Sequence, residues 1–293
     1  MRQPGLWTRR RFLGTAAAGA GLAWWGPAPA GSATTLAVGV TRGIKKALVL
    51  KEAGFDYLEG GVGAILVPDK NDAEFEPLLA QIRALPLPVP VCNVFLPAAL
   101  KIVGPDADHA AAAVYAQTAL RRAGIAGIET IVFGSGGARR IPEGYDPARA
   151  REEFIAFAKR IAPGARKAGV RLALEPLNRK ETNLINSVGE GAAVVDAVAH
   201  PAFCLHADIY HMLQEDEAPD AIDAAGDRII HVHVAQRGTR LAPLPGGTDF
   251  RPYFAALKRI GYRGRVSIES NWPEGENAYA RACAFVRDQW AAA

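Results

Sequence analysis

Residues 203–235, FCLHADIYHMLQEDEAPDAIDAAGDRIIHVHVA, contain one complete structural unit. Its ends, FCLHADI (203–209) and IIHVHVA (229–235), are short apolar runs of the length of buried parallel strands. Residues 218–225 between them carry a helical pattern. Upstream, the same alternation predicts strands at LAVGV (36–40), FDYLEG (55–60), VPVCNVF (89–95), IETIVFG (128–134) and VRLALEP (170–176). Downstream it predicts RVSIES (265–270). Helices are expected over 45–53, 73–85, 107–123, 147–168, 192–199, 218–225, 250–260 and 277–290, several ending at Gly54, Gly124, Gly169 or Gly261. Strands joined through helices run parallel with right-handed crossovers. Eight such units in about 250 residues is the size of a single (β/α)8 TIM barrel, an α/β fold. An open doubly wound sheet would usually bring a G-x-G-x-x-G turn after its first strand, and GVTRGIKK (39–46) lacks that spacing.

The chain has 34 Lys+Arg against 30 Asp+Glu, a formal net charge of +4. Residues 1–33 hold Arg2, Arg9, Arg10 and Arg11 and no acid. Without those four arginines, 30 basic residues face 30 acids, so the body over 34–293 is neutral. A neutral body has no general attraction for phosphate backbones, which argues against a nucleic-acid partner. TRRRFL (8–13), a weakly apolar run to Trp25 and small-residue sites at 28–30 and 31–33 occur in the order of a twin-arginine signal peptide. Its expected partner is the twin-arginine export machinery, and its destination the periplasm. An uncleaved anchor, or a basic tail before an ordinary helix, are the competing readings. Cys92, Cys204 and Cys283 are too few and too scattered for a disulfide framework or a thiolate metal site.

In such a barrel the active site lies at the carboxyl ends of the strands. There strand five ends in Glu175, strand six in Asp208, strand seven carries His233 and strand eight ends in Glu269. Singly, each reads as a loop carboxylate or a satisfied core histidine. Together, three carboxylates and an imidazole at one mouth repel unless a divalent cation neutralises them. Oxygen-rich ligation with one His suits Mn²⁺ above all, or Mg²⁺ or Co²⁺, with Zn²⁺ also open. His206 and His231, each two residues before a candidate ligand, face the same way one layer deeper, as core groups or groups that orient the ligands.

LALEPLNRKETNLINS (172–187), HADIYHM (206–212), HVHVAQRGTRLAPLPGGTDF (231–250) and VSIES (266–270) resemble the motifs of the xylose isomerase-like TIM barrels. These include sugar phosphate isomerases and epimerases, and the resemblance is closest to the ketose 3-epimerase branch (D-tagatose and D-psicose 3-epimerases). VCNVFLP (91–97) and IVFGSGGARRIPEG (131–144) are similar to segments of exported relatives, so the resemblance spans the body. It implies one divalent metal ion held by Glu175, Asp208, His233 and Glu269, with Glu181, His211 and Arg240 contacting substrate. Arg237 competes with Arg240, because the loop spacing differs. Gly246-Gly247-Thr248 also departs from the family's usual Pro-Gly-x-Gly.

A 2-ketose chelated by a divalent ion has an acidified C3–H, because the ion stabilises an enediolate. Glu175 and Glu269, on strands flanking the cluster, suit removal of a proton on one face and its return on the other. Epimerisation, aldose–ketose isomerisation and β-dehydration all pass through that intermediate. The expected activity is therefore a metal-dependent sugar isomerase or epimerase. A dehydratase acting on an inosose or dehydroshikimate is the alternative. An apurinic-endonuclease-type nuclease would need histidines on strands two and three, where this chain has Glu59, Cys92 and Asn93. A non-catalytic sugar-binding protein would not need two intact glutamates. Arg139 and Arg140 follow strand four and read as a solvated loop pair or as a clamp for a substrate anion. His211 reads as a ligand for the C2 oxygen or as a solvent-facing helix residue. Phe95, Tyr210 and Trp272 lie where pocket walls or core would be. The long loops after strands four and seven suit a lid or a contact with a second copy, which leaves a homodimer open.

Overall fold

A computed structural model describes residues 36–293; the leader expected over 1–33 lies outside the described residues. The strands are β1 (Ala37–Thr41), β2 (Tyr57–Gly61), β3 (Val91–Asn93), β4 (Thr130–Phe133), β5 (Arg171–Leu174), β6 (Phe203–Asp208), β7 (Ile229–Val234) and β8 (Arg265–Ile268). Each pairs in parallel with its sequence neighbours, and β8 closes on β1. The expected (β/α)8 barrel is therefore the observed one. No helix among the described residues is long and apolar enough to cross a membrane.

The helices are α1 (Ala47–Glu52), α2 (Val62–Ile65), α3 (Asp72–Arg83), α4 (His109–Ala126), α5 (Gly136–Arg139), α6 (Pro147–Ala168), α7 (Val188–Val198), α8 (Ile209–Gln214), α9 (Asp220–Ala225), α10 (Arg251–Arg259) and α11 (Tyr279–Ala291). α2 and α5, of four residues each, and α8, of six, follow β2, β4 and β6; they are too short to show a helical period. α7 starts four residues before its expected start because the Ser187 hydroxyl accepts from the Glu190 N–H at 3.1 Å, an N-cap. Gly124 does not stop α4. The helix runs on to Gly127, which takes the left-handed conformation (φ 79°). A Cβ on Gly124 would lie 2.4 Å from the Ala168 carbonyl, so the glycine serves close packing of α4 on α6.

Successive strand residues point alternately outward, into the apolar layer under the helices, and inward. Leu58, Cys92, Ile131, Leu172, Leu174, Leu205, Val232, Val266 and Ile268 belong to the outer core. Tyr57, Val91 and Val132 form a separate apolar cluster, the inward plug towards the amino end. Continuing the same alternation toward the carboxyl ends gives Glu59, Asn93, Glu175, Asp208, His233 and Glu269. The period of two thus fills the floor of the barrel with apolar groups and its mouth with polar and titratable ones.

Candidate active site

Glu175, immediately after β5, is 7 % exposed. Its Oε1 is buried without a hydrogen-bond partner and lies 3.5 Å from His233 Nδ1. A Cβ on Gly134, after β4, would come within 2.2 Å of its Oε2, so a side chain there would push this carboxylate from its place. Asp208 ends β6 and caps α8, its Oδ1 accepting from the Tyr210 N–H at 2.7 Å. Its Oδ2 lies 3.5 Å from His211 Nε2. Glu269 follows β8 with Oε2 3.7 Å from His233 Nδ1; its Oε1 accepts from Asn93 Nδ2 at 2.7 Å, and Oε2 from Arg240.

His233 is fully buried, its Nε2 2.9 Å from Glu59 Oε1. With the Nε2 proton donated to that carboxylate, loss of the Nδ1 proton turns a lone pair toward Glu175 and Glu269. This is the carboxylate–histidine arrangement that orients a metal ligand. Glu59 Oε2 completes a network with His231 Nε2 (2.9 Å) and the Ser267 hydroxyl (2.6 Å). Ser267 in turn meets the Tyr57 hydroxyl at 2.7 Å. Reading strand ends alone missed Glu59 and Asn93. The available signal was a polar side chain at an inward position of an otherwise apolar strand.

His211 is buried, which overturns the solvent-facing reading. The Asn178 backbone N–H can only donate, and it points at His211 Nδ1 at 3.2 Å. The ring proton therefore sits on Nε2, which has no partner and lies between Asp208 and, at 4.0 Å, Glu181 Oε2. Arg240 bridges the site: Nη1 donates to Glu181 Oε1 at 2.7 Å, Nη2 donates to Glu269, and the guanidinium lies 4.9 Å over the Tyr210 ring. Arg237 instead pairs with exposed Asp216 at 2.5 Å, so the geometry favours Arg240. The structure thus brings Glu175, Asp208, His233, Glu269, Glu181, His211 and Arg240 to one mouth.

Arg139 corrects both expectations made for it. It is fully buried, neither solvated nor aimed at a substrate anion, and donates to the backbone carbonyls of Glu175 (2.7 Å) and Phe133 (3.3 Å). It therefore clamps the ends of β4 and β5 together, and burial pulls its guanidinium down to about 10. Arg140 is exposed and donates to the Glu181 carbonyl at 2.6 Å. Phe95 is core, packed edge-on against Phe133. Trp272 lines a cleft of about 360 Å³ with Gln236, Leu241, Leu244 and Pro245. In the loop bearing Gly246-Gly247-Thr248, Gln236 Oε1 accepts from the Thr248 N–H at 3.0 Å and leaves no space for a side chain on Gly247.

The two site glutamates titrate in opposite directions. Burial raises the Glu175 carboxyl, and the Glu269 charge adds to that rise against the pull of His233. Burial also acts to raise Glu269, but the charges of His233 and Arg240 outweigh it and hold the group at about 2. Burial acts to lower His233, yet Glu59 and Glu269 lift it well above 6.5. Burial, helped by the charges of His233 and His231, keeps His206 neutral. Two carboxyls driven apart by their surroundings are the usual setting for an acid and a base.

The donor set fits a divalent ion. Ligand atoms from Glu175, His206, Asp208 and His233 all lie within 4.8 Å of one another, and the Glu175 Oε1 and His233 Nδ1 atoms are buried and unpartnered. An uncompensated group of this kind is costly unless a cation joins it.

Comparison with known proteins is consistent with this geometry. The family described as "Xylose isomerase-like TIM barrel" matches residues 48–289. L-ribulose 3-epimerase of Methylomonas sp. (strain DH-1) is 40 % identical over 121 residues, 41 % of this chain and 42 % of that protein. Ketose 3-epimerase of Arthrobacter globiformis is 32 % identical over 152 residues, 44 % and 52 % of the two chains. The matches thus span about half the length of these curated relatives. The crystal structure of D-psicose 3-epimerase with D-tagatose from Clostridium cellulolyticum H10 superposes with a TM-score of 0.77. It is 22 % identical and covers 87 % of this chain and 99 % of that one, a likeness of fold.

Proposed function

The chain belongs to the xylose isomerase-like TIM barrel family, and from that premise we propose that it is a divalent-metal-dependent epimerase of a ketose or related keto-sugar. The observation that carries this reading is the approach of Glu175 and Glu269, from β5 and β8, on the same His233 Nδ1 at 3.5 and 3.7 Å. Glu175, Asp208, His233 and Glu269 are the proposed ligands, and Mn²⁺ is the proposed ion on this oxygen-rich count. When bound, the ion supplies Lewis-acid stabilisation of negative charge on the sugar oxygens.

The protein's own residues move the proton. Glu269, held ionised, removes the C3 proton, and the C–H electron pair moves into the C2–C3 bond while charge develops on the C2 oxygen. His211 Nε2–H, free of any partner, donates to that oxygen. Glu175, on the opposite side of the substrate, returns a proton to the opposite face of C3 through the oxygen not engaged by the ion. The C2 carbonyl re-forms and the configuration at C3 is inverted. Arg240 fixes Glu269 and Glu181, and Glu181 supplies an acceptor for a substrate hydroxyl.

The test is a screen of Mn²⁺-loaded protein against ketoses, inososes and oxidised sugars in D₂O, read by NMR. Inversion at C3 is the expected outcome. Label at C1 alone would make the enzyme an aldose–ketose isomerase, and loss of water a dehydratase. We also propose export by the twin-arginine route. Arg9→Lys with Arg10→Lys should abolish periplasmic yield; unchanged yield would refute it.

A further inference from the structure

One buried imidazole has no part in the reaction as described. His206 lies on β6 two residues before Asp208, is fully buried, and sits edge-on to His233 with ring centroids 4.2 Å apart. Neither of its nitrogens has a hydrogen-bond partner. A buried polar ring with nothing to bond is uncommon in folded proteins and calls for a ligand. Its Nε2 is 3.6 Å from Glu175 Oε1, itself buried without a partner.

The spacing suits coordination. Donor atoms of Glu175, His206, Asp208 and His233 lie within 4.8 Å of one another. Two donors at about 2.0–2.2 Å from one ion are at most about 4.4 Å apart, so closure needs a shift of only a few tenths of an ångström. His231 belongs to a second group with His206 and His233. Its Nε2, however, is taken by Glu59 at 2.9 Å and faces the Ser267 hydroxyl at 3.3 Å. Of the two deeper histidines, His206 is the one with both nitrogens open.

We infer that His206 is a direct ligand of the divalent ion, adding a second imidazole to the set of Glu175, Asp208, His233 and Glu269. The inference rests on the metal-dependent reading above. It has a chemical consequence, because imidazole favours Co²⁺, Zn²⁺ and Fe²⁺ over the oxygen-seeking Mn²⁺ and Mg²⁺. The ion bound in a mixed pool then shifts towards the nitrogen-tolerant metals.

The test counts nitrogens. Pulsed EPR of the Mn²⁺-loaded full-length protein should show couplings to two imidazoles, falling to one in His206→Leu. Competition dialysis should show Co²⁺ affinity falling at least about tenfold further than Mn²⁺ affinity in that variant. One coupled imidazole in the wild-type protein overturns the inference and leaves metal dependence standing. Failure of the wild-type protein to bind either Mn²⁺ or Co²⁺ overturns both. Should His206→Leu not fold, the wild-type count decides alone.

Discussion

The two ends of the barrel both gather charge but complete it differently. At the amino end, Arg265 at the start of β8 meets both oxygens of Glu129 at 2.9 and 3.3 Å, and its carbonyl accepts from the Tyr262 hydroxyl at 2.7 Å. Arg171, Arg263 and Arg265 rim a cavity of about 310 Å³ there, above the plug formed by Tyr57, Val91 and Val132. At the carboxyl end, Glu175 Oε1, His206 Nε2, His211 Nε2 and His233 Nδ1 are buried without partners. The first end pairs Arg265 with Glu129 at a partly exposed site, where such pairs matter little. The second keeps buried groups open, an arrangement that costs stability and leaves the binding capacity a ligand needs.

The largest expected effect therefore lies at the mouth. Glu269→Gln and Glu175→Gln should each lower kcat by about 10²–10⁴-fold, the usual loss for a positioned acid or base. Thermal stability of metal-free Glu175→Gln should stay level or rise, because burial disfavours the charge of that carboxyl. Glu269→Gln should lower Tm, because it weakens the pairing of Arg240 and His233 with a carboxylate that the fold holds ionised. A fall in Tm of Glu175→Gln matching its loss of activity would make that residue structural and erase the contrast between the ends.

Next comes metal affinity, which should increase with pH. His233 is held well above 6.5 in the metal-free protein. The stabilisation from its protonated form is thus fully present below 6.5 and lost as pH rises through the raised value. An ion must displace that proton, so apparent affinity should climb by up to about tenfold per pH unit over the same window. Titration calorimetry in buffers of different ionisation heat measures the released proton; a pH-independent affinity with no release would remove His233 from the ligand set.

Arg240→Met should weaken substrate saturation by about ten- to a hundredfold, the scale of a lost charge-assisted hydrogen bond. Arg237→Met, which breaks an exposed pair, should leave KM unchanged. Equal effects would mean that the geometry favours the wrong arginine. The smallest change is expected at the amino end: Arg265→Met should cost at most about 1 kcal/mol of stability, with turnover unaffected. A larger kinetic effect there would show that the two ends are coupled.

The fold was legible in the sequence because each strand is a short apolar run set off by a helix with its own period, as in residues 203–235. The ends of helices were less so. Gly124 looks like a stop until α6 is seen packed against it, and Ser187 looks like loop until its hydroxyl is seen capping α7. At the site, Glu175, Asp208, His233 and Glu269 stand out because they end consecutive strands. Glu59 did not, since its role depends on β2 and β7 facing each other across the barrel, a closeness that a sequence separation of 174 conceals. Arg139 misled for a related reason: an arginine after a strand gives no sign that it will turn inward to backbone carbonyls.

The central claim is that Glu175 and Glu269 pass a proton across C3 of a ketose, and solvent exchange tests it most directly. Metal-loaded protein incubated with D-fructose, D-tagatose or L-ribulose in D₂O should incorporate one deuterium at C3 of the epimer formed, and Glu269→Gln should abolish that incorporation. Epimer formed without deuterium at C3, or undiminished exchange in Glu269→Gln, would contradict the account.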